Sequence, residues 1–124
     1  MTRPSTSGPV GLRPGKLDLE VVQHNDFAVR LEFVNADDDP IDITGWDLVA
    51  NMRETYQGAL IATFALDSAA LPPNEVSLRL TAAQTALIGE GVYPWDLLRY
   101  SGGSLVRTLL RGVAVVVPVT QEVP

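Results

Sequence analysis

Polar and apolar residues alternate with a period of two along most of this chain, the signature of strands with one buried face. From 17 to 22, Leu17, Leu19 and Val21 oppose Asp18 and Glu20. From 27 to 34, Phe27, Val29, Leu31 and Phe33 oppose Arg30 and Glu32. A third run, 46–53, sets Trp46, Leu48, Ala50 and Met52 against Asp47, Val49, Asn51 and Arg53. Further strands are expected over 60–66 (Leu60, Ala62, Phe64 and Leu66 inward), 76–80, 92–100 and 105–119. Pro94 cannot donate to a ladder, so its strand is expected at a sheet edge or with a bulge there. Gly112 interrupts an apolar run and is read as a bulge or bend, and Pro118 ends regular pairing.

Turn residues separate these runs. Residues 23–26, 54–59 and 67–74 read as turns or loops, and Gly102 and Gly103 form a hairpin tip that accepts positive φ. Asn35 to Pro40 carries three consecutive aspartates, whose side chains hydrogen-bond their own backbone in turns. Ile41 and Ile43 are expected to plug one end of the core, with Gly45 permitting the turn that follows. One short helix is expected over 81–87: Thr81 is a suitable N-cap and Gln84 stands three residues on, the capping-box spacing. Seven strands and one helix in a single domain give an all-β fold, an immunoglobulin-like β-sandwich of antiparallel strands, with a partly open barrel as the competing architecture. The Val and Leu run around 113–117 is an aggregation hazard as a bare edge, so a partner or second copy is expected to cover it.

Composition narrows the class. A chain of 124 residues that is 46% apolar supports one compact domain. A net charge of −6 disfavours binding to a phosphate backbone, so no nucleic-acid partner is expected. No apolar run approaches the about 20 residues of a membrane span, and the first residues lack the apolar core of an export signal. Residues 1–16, rich in Pro, Gly, Ser and Thr, cannot build a core. They read either as a solvated terminus or as an extended arm that docks on a neighbouring subunit. The body of the domain is expected over 17–120, with 121–124 a short polar tail.

No catalytic constellation emerges. There is no cysteine and a single histidine, His24, in a turn with no nucleophile motif nearby. Phosphate, dinucleotide and zinc-protease signatures are absent from the sequence. Asp37, Asp38, Asp39 and Asp42 lack the alternate spacing, glycine and distal glutamate of a calcium loop, and read as a solvated turn. Asp47 and Asp96 are the only pair worth weighing as glycosidase carboxylates. The simpler reading pairs such carboxylates with Arg53, Arg99 or Arg107. Arg99, Arg107 and Arg111 read as cross-strand ion-pair partners or a surface for an acidic partner. No cofactor, metal or catalytic residue is expected. An exposed platform of Trp46, Tyr56, Tyr93, Trp95 and Tyr100 would instead mark a carbohydrate-binding module, but alternation sends both tryptophans inward.

The order of motifs resembles a family. Leu17-Asp18-Leu19, Asn25-Asp26-Phe27 and Asp39-Pro40-Ile41-Asp42-Ile43-Thr44-Gly45-Trp46 are followed by Val76-Ser77-Leu78-Arg79-Leu80-Thr81-Ala82-Ala83-Gln84. Gly91-Val92-Tyr93-Pro94-Trp95-Asp96-Leu97 and a last strand with Arg107, Leu109, Leu110 and Gly112 complete the pattern. This is similar to small structural proteins of tailed bacteriophages and to the N-terminal domain of siphophage upper-baseplate proteins. The family pattern has Leu at position 43 and an ordinary strand residue at 94. The resemblance implies a non-enzymatic virion component, in the tail, baseplate or fibre or on the capsid surface. Its partners would be other virion proteins, including tail, baseplate or major capsid proteins, and it would form a homo-oligomer. The residues expected to meet partners are Arg3, Pro4, Pro9, Leu12, Arg13 and Pro14 on the arm and Val113, Val115 and Val117 on the last strand.

Overall fold

The computed structural model of the chain describes residues 15–119. Nine strands and one helix follow in order: β1 (Gly15–Lys16), β2 (Leu19–Val22), β3 (Phe27–Glu32), β4 (Asp47–Arg53), β5 (Leu60–Thr63), β6 (Ala65–Asp67), β7 (Glu75–Leu80), α1 (Ala82–Ala86), β8 (Gly91–Ser101) and β9 (Ser104–Val117). They form two sheets, β1-β9-β8-β4-β5 with β2 also on β9, and β3-β7-β6. The all-β sandwich with one short helix is therefore the observed fold.

The core lies between the sheets and is built by the alternation. Leu31, Val76, Leu78 and Leu80 of the small sheet meet Leu19, Val21, Ala50, Met52, Trp95, Leu97, Ala114 and Val116 of the large one. Three tilted or edge-on aromatic contacts, Phe27–Phe64, Phe64–Trp95 and Phe33–Trp46, span centroid distances of 5.8 to 6.3 Å, in the range these rings favour. Ile43 is buried and Ile41 packs beside it, closing one end.

The helix forms as its caps dictate. Thr81 accepts a hydrogen bond from the Gln84 backbone N–H while the Gln84 side chain accepts from the Thr81 N–H. It carries the chain from the small sheet to the large one. The Ala82 N–H donates to Asp26 and the Thr85 hydroxyl to the Asn25 carbonyl, so the helix is pinned to the turn between β2 and β3.

Several sequence expectations are corrected. The 60–66 run is two strands in different sheets, β5 on β4 and β6 on β7. The chain crosses at Phe64, whose N–H donates to the Ala50 carbonyl. Leu60 is 53% exposed rather than inward, because the register shifts between Met52 and Arg53. Pairing is not all antiparallel: β1 and β2 run parallel to β9 and cover its free side. The stretch from Val113 to Val117 is thus no sheet edge, and the chain itself supplies the cover. β8 is an interior strand, yet its pairing with β4 begins only at Trp95, so Pro94 loses no partner on that side. Gly112 is not the bulge; register shifts fall at Leu109 and Val106 instead. At Gly112 an added Cβ would sit 2.1 Å from the Leu17 carbonyl oxygen, so glycine is there for close approach of the β1–β2 junction.

That junction replaces ladder bonds by side-chain bonds. The Leu17 N–H donates to the Arg111 carbonyl, and the Val113 N–H donates to the Asp18 carboxylate at 3.0 Å. The Trp95 indole N–H donates to the Leu17 carbonyl at 2.8 Å. A backbone kink that would strand polar groups is thereby satisfied.

Candidate functional site

The large sheet has an inner face in the core and an outer face with no layer of described residues packed across it. On that outer face β4, β8, β9 and β1 floor a shallow basin lined by Arg53, Pro94, Asp96, Leu98, Arg111 and Val113. Tyr56, 72% exposed on the hairpin between β4 and β5, stands at its rim. The hairpin is held by the Arg53 guanidinium, which donates to the Gly58 carbonyl.

Asp96 sits at the centre. Its cross-strand neighbours are Asn51 on β4 and Arg111 on β9. Burial pushes its carboxyl above the usual carboxylate value, and the Arg53 guanidinium partly offsets this. The folded chain therefore binds that proton more tightly than the unfolded chain. The resulting stability is present at low pH and is lost as pH rises from the ordinary Asp value of 3.8 through the raised one. At neutral pH the ionised carboxylate is a net burden on the dilute chain. Asp96→Asn is expected to raise the denaturation midpoint at neutral pH and to lose that advantage below the ordinary Asp value. Midpoints that are equal at both pH values would contradict this.

The arginines divide between faces. Arg99 and Arg107 are register partners on the inner side, and Arg99 lies 3.9 Å over the Trp46 ring, a cation–π contact that accommodates its charge. Arg111 faces the basin. No single arginine stripe exists, and the residue opposite Asp96 is Arg111 rather than Arg99 or Arg107. Asp47 pairs with Tyr100, four residues along β4 from the position opposite Asp96. At about 3.4 Å per residue the two carboxylates are roughly 14 Å apart, beyond the separation a glycosidase pair uses.

The aromatic platform does not form. Trp95 is 2% exposed and Trp46 is half-buried beneath Arg99, with Tyr93 bonded to the Gly89 carbonyl. His24 occupies a turn with φ of 67°. In the acidic turn Asn35 accepts from the Asp37 and Asp39 N–H groups and Asp42 accepts from Thr44, so it caps itself. Among the described residues no three His, Cys, Asp or Glu side chains converge as a metal site.

Of the residues expected to meet partners, Val113, Val115 and Val117 are half-buried on the outer face beside the basin. Arg3, Pro4, Pro9, Leu12, Arg13 and Pro14 lie outside the described residues. Gly15 and Lys16, expected in the arm, form β1.

No protein-family model matches the sequence, and no curated protein does. Among solved structures, the N-terminal domain of phage TP901-1 ORF48 shares the fold at 13% identity and a TM-score of 0.52, covering 88% of this chain and 92% of that one. A chain from a structure of T-cell activation by the bacterial superantigen toxic shock syndrome toxin-1 aligns at 14% identity and a TM-score of 0.40, covering 81% of this chain and 92% of that one. The second likeness carries no weight.

Proposed function

We propose that this chain is a non-enzymatic structural subunit of a tailed-bacteriophage virion, an adaptor of the tail, baseplate or fibre that works by protein–protein contact and self-association. The observation that carries the reading is the shared fold with the N-terminal domain of a phage protein over nearly the full length of both chains. The open outer face of the large sheet gives it a contact surface: β9 reads Val113-Ala114-Val115-Val116-Val117, a continuous apolar run of the kind found in strands covered on both sides. In this reading residues 1–14 dock on a neighbouring subunit, entering from β1 beside the basin.

The test is incorporation. Phage lacking the gene is grown on cells that supply either the full chain or a form lacking residues 2–14, which keeps β1. Full chain is expected in gradient-purified particles. The shortened form is expected to fold, by circular dichroism, yet to be depleted at least about tenfold from particles, as loss of one multivalent contact predicts. Equal incorporation of both forms would sink the docking arm; failure of the full chain to incorporate would sink the virion role.

A further inference from the structure

The outer face of the six-stranded sheet is ordered in cross-strand rows. One row is polar throughout: Thr63, Asn51, Asp96, Arg111 and Lys16 are successive register partners on β5, β4, β8, β9 and β1. The rows on either side are apolar along β8 but also hold Thr108 opposite Leu98, Asp47 opposite Tyr100 and Glu20 opposite Val115. Toward the β2 end, Pro94 faces Val113 and Val92 faces Val115; toward the hairpin tip, Val49 faces Leu98 and Tyr100 faces Leu105. Val92 is 61% exposed and Leu105 54%. At the centre of the polar row stand two opposite charges, Asp96 and Arg111; burial opposes the Asp96 charge, and the Arg53 guanidinium offsets this only in part.

We propose that this face packs against the same face of a second copy, about a two-fold axis running along the strands between β8 and β9. The charge arrangement selects that axis. A two-fold relating two stacked sheets lies in the plane between them. If it runs along the strands midway between β8 and β9, each β8 residue lies over the other copy's version of its own cross-strand partner. Asp96 then meets Arg111 twice, Asn51 meets Lys16, and in the flanking rows Pro94 falls on Val113, Val92 on Val115, Leu98 on Thr108 and Tyr100 on Leu105. An axis along the polar row would instead set Asp96 on Asp96 and Arg111 on Arg111. Aligned stacking is the ordinary way two sheets pack.

The area suffices. Eleven residues of β8 at about 3.4 Å each, across the four strand positions that overlap about this axis (β4, β8, β9 and β1 with β2), each about 4.8 Å wide, give a face of roughly 700 Å², close to the about 800 Å² per partner of a standard stable interface. The pairing also gives Asp96 a role: burial opposes its charge in the single chain, and the guanidinium of the other copy compensates it.

This inference rests on the reading of the chain as a self-associating subunit, but its test needs no particle. Sedimentation equilibrium of the full chain is expected to show a species of twice 13.4 kDa. Asp96→Arg and Arg111→Asp each place like charges face to face and should weaken the dimer by about tenfold or more, while the double exchange should restore it to within about threefold of the native chain, as a coupled pair requires. Val92→Asp, at an exposed position where folding is not at stake, should weaken it as well. A native chain that stays monomeric overturns the proposal, whether its face proves to be covered by residues 1–14 or by a different virion protein. So does a Val92→Asp dimer of native affinity, or a double exchange no tighter than the single variants. A chain that is monomeric yet incorporated into particles would remove this contact and leave the virion role standing.

Discussion

Gly112→Ala is expected to lower the stability of the domain by about 2–4 kcal/mol, an unusually large effect for one added methyl group. The methyl would stand 2.1 Å from the Leu17 carbonyl oxygen and 2.7 Å from an Asp18 carboxylate oxygen. The obstacle is backbone, so no side-chain rotation relieves it. The β1–β2 junction must lift away from β9, and in lifting it loses the Trp95 bond to Leu17 and the Asp18 bond to Val113. The effect is local first: amides of residues 19–22 should exchange faster than those of β7, whose pairing with β3 and β6 is untouched. A urea midpoint equal to that of the native chain would show that the junction does not hold the position described.

Trp95→Ala should be the most damaging single core change, at about 3–5 kcal/mol. The indole is almost fully buried, meets Phe64 edge-on at 5.9 Å, and donates to the Leu17 carbonyl. Truncation empties the centre of the core and leaves that carbonyl without its donor. Against a total stability on the order of 5–15 kcal/mol, much of the margin is removed. Trp95→Phe separates the two contributions: it keeps an aromatic ring against Phe64 and loses the indole donor, for a smaller loss of about 1–2 kcal/mol. Both variants are read from urea unfolding followed by circular dichroism. An alanine variant no weaker than the phenylalanine variant would contradict the core assignment.

The contrast between these two positions shows what the sequence made legible. Trp95 could be assigned to the core because it alternates with Leu97 and with outward Asp96, a local pattern. The same holds for Leu31 and Phe33, for the Thr81–Gln84 capping box and for the Gly102–Gly103 tip, where both glycines have positive φ. Gly112 looked like a bulge because its reason lies about a hundred residues away, where β2 returns parallel to β9. Parallel pairing over such a separation leaves no mark on periodicity. The split of 60–66 was hidden for another reason. Ala62, Phe64 and Leu66 all pack toward the core while the chain changes sheets, so the alternation runs through the crossing unbroken.

The outer face was obscured by register. A hairpin running unbroken from the 101–104 turn would set Leu109 opposite Asp96. Two bulges, at Val106 and Leu109, move the register by two residues and bring Arg111 there instead. That shift creates the central charge pair of the polar row, and no residue near Asp96 in the chain announces it. The one available signal was the apolar run at 113–117, read as a bare edge for a partner or second copy to cover; that edge is covered by β2 of the same chain.

Incorporation of this chain into a virion is tested most directly by its copy number in purified particles, by mass spectrometry calibrated against the major capsid protein. A fixed ratio through successive purification steps is expected, at a few to a few dozen copies per particle, as a tail or baseplate adaptor requires; hundreds would move the subunit to the capsid surface as a decoration protein. Peptides that fall away from the particle as purification proceeds, leaving none in the final fraction, would contradict it.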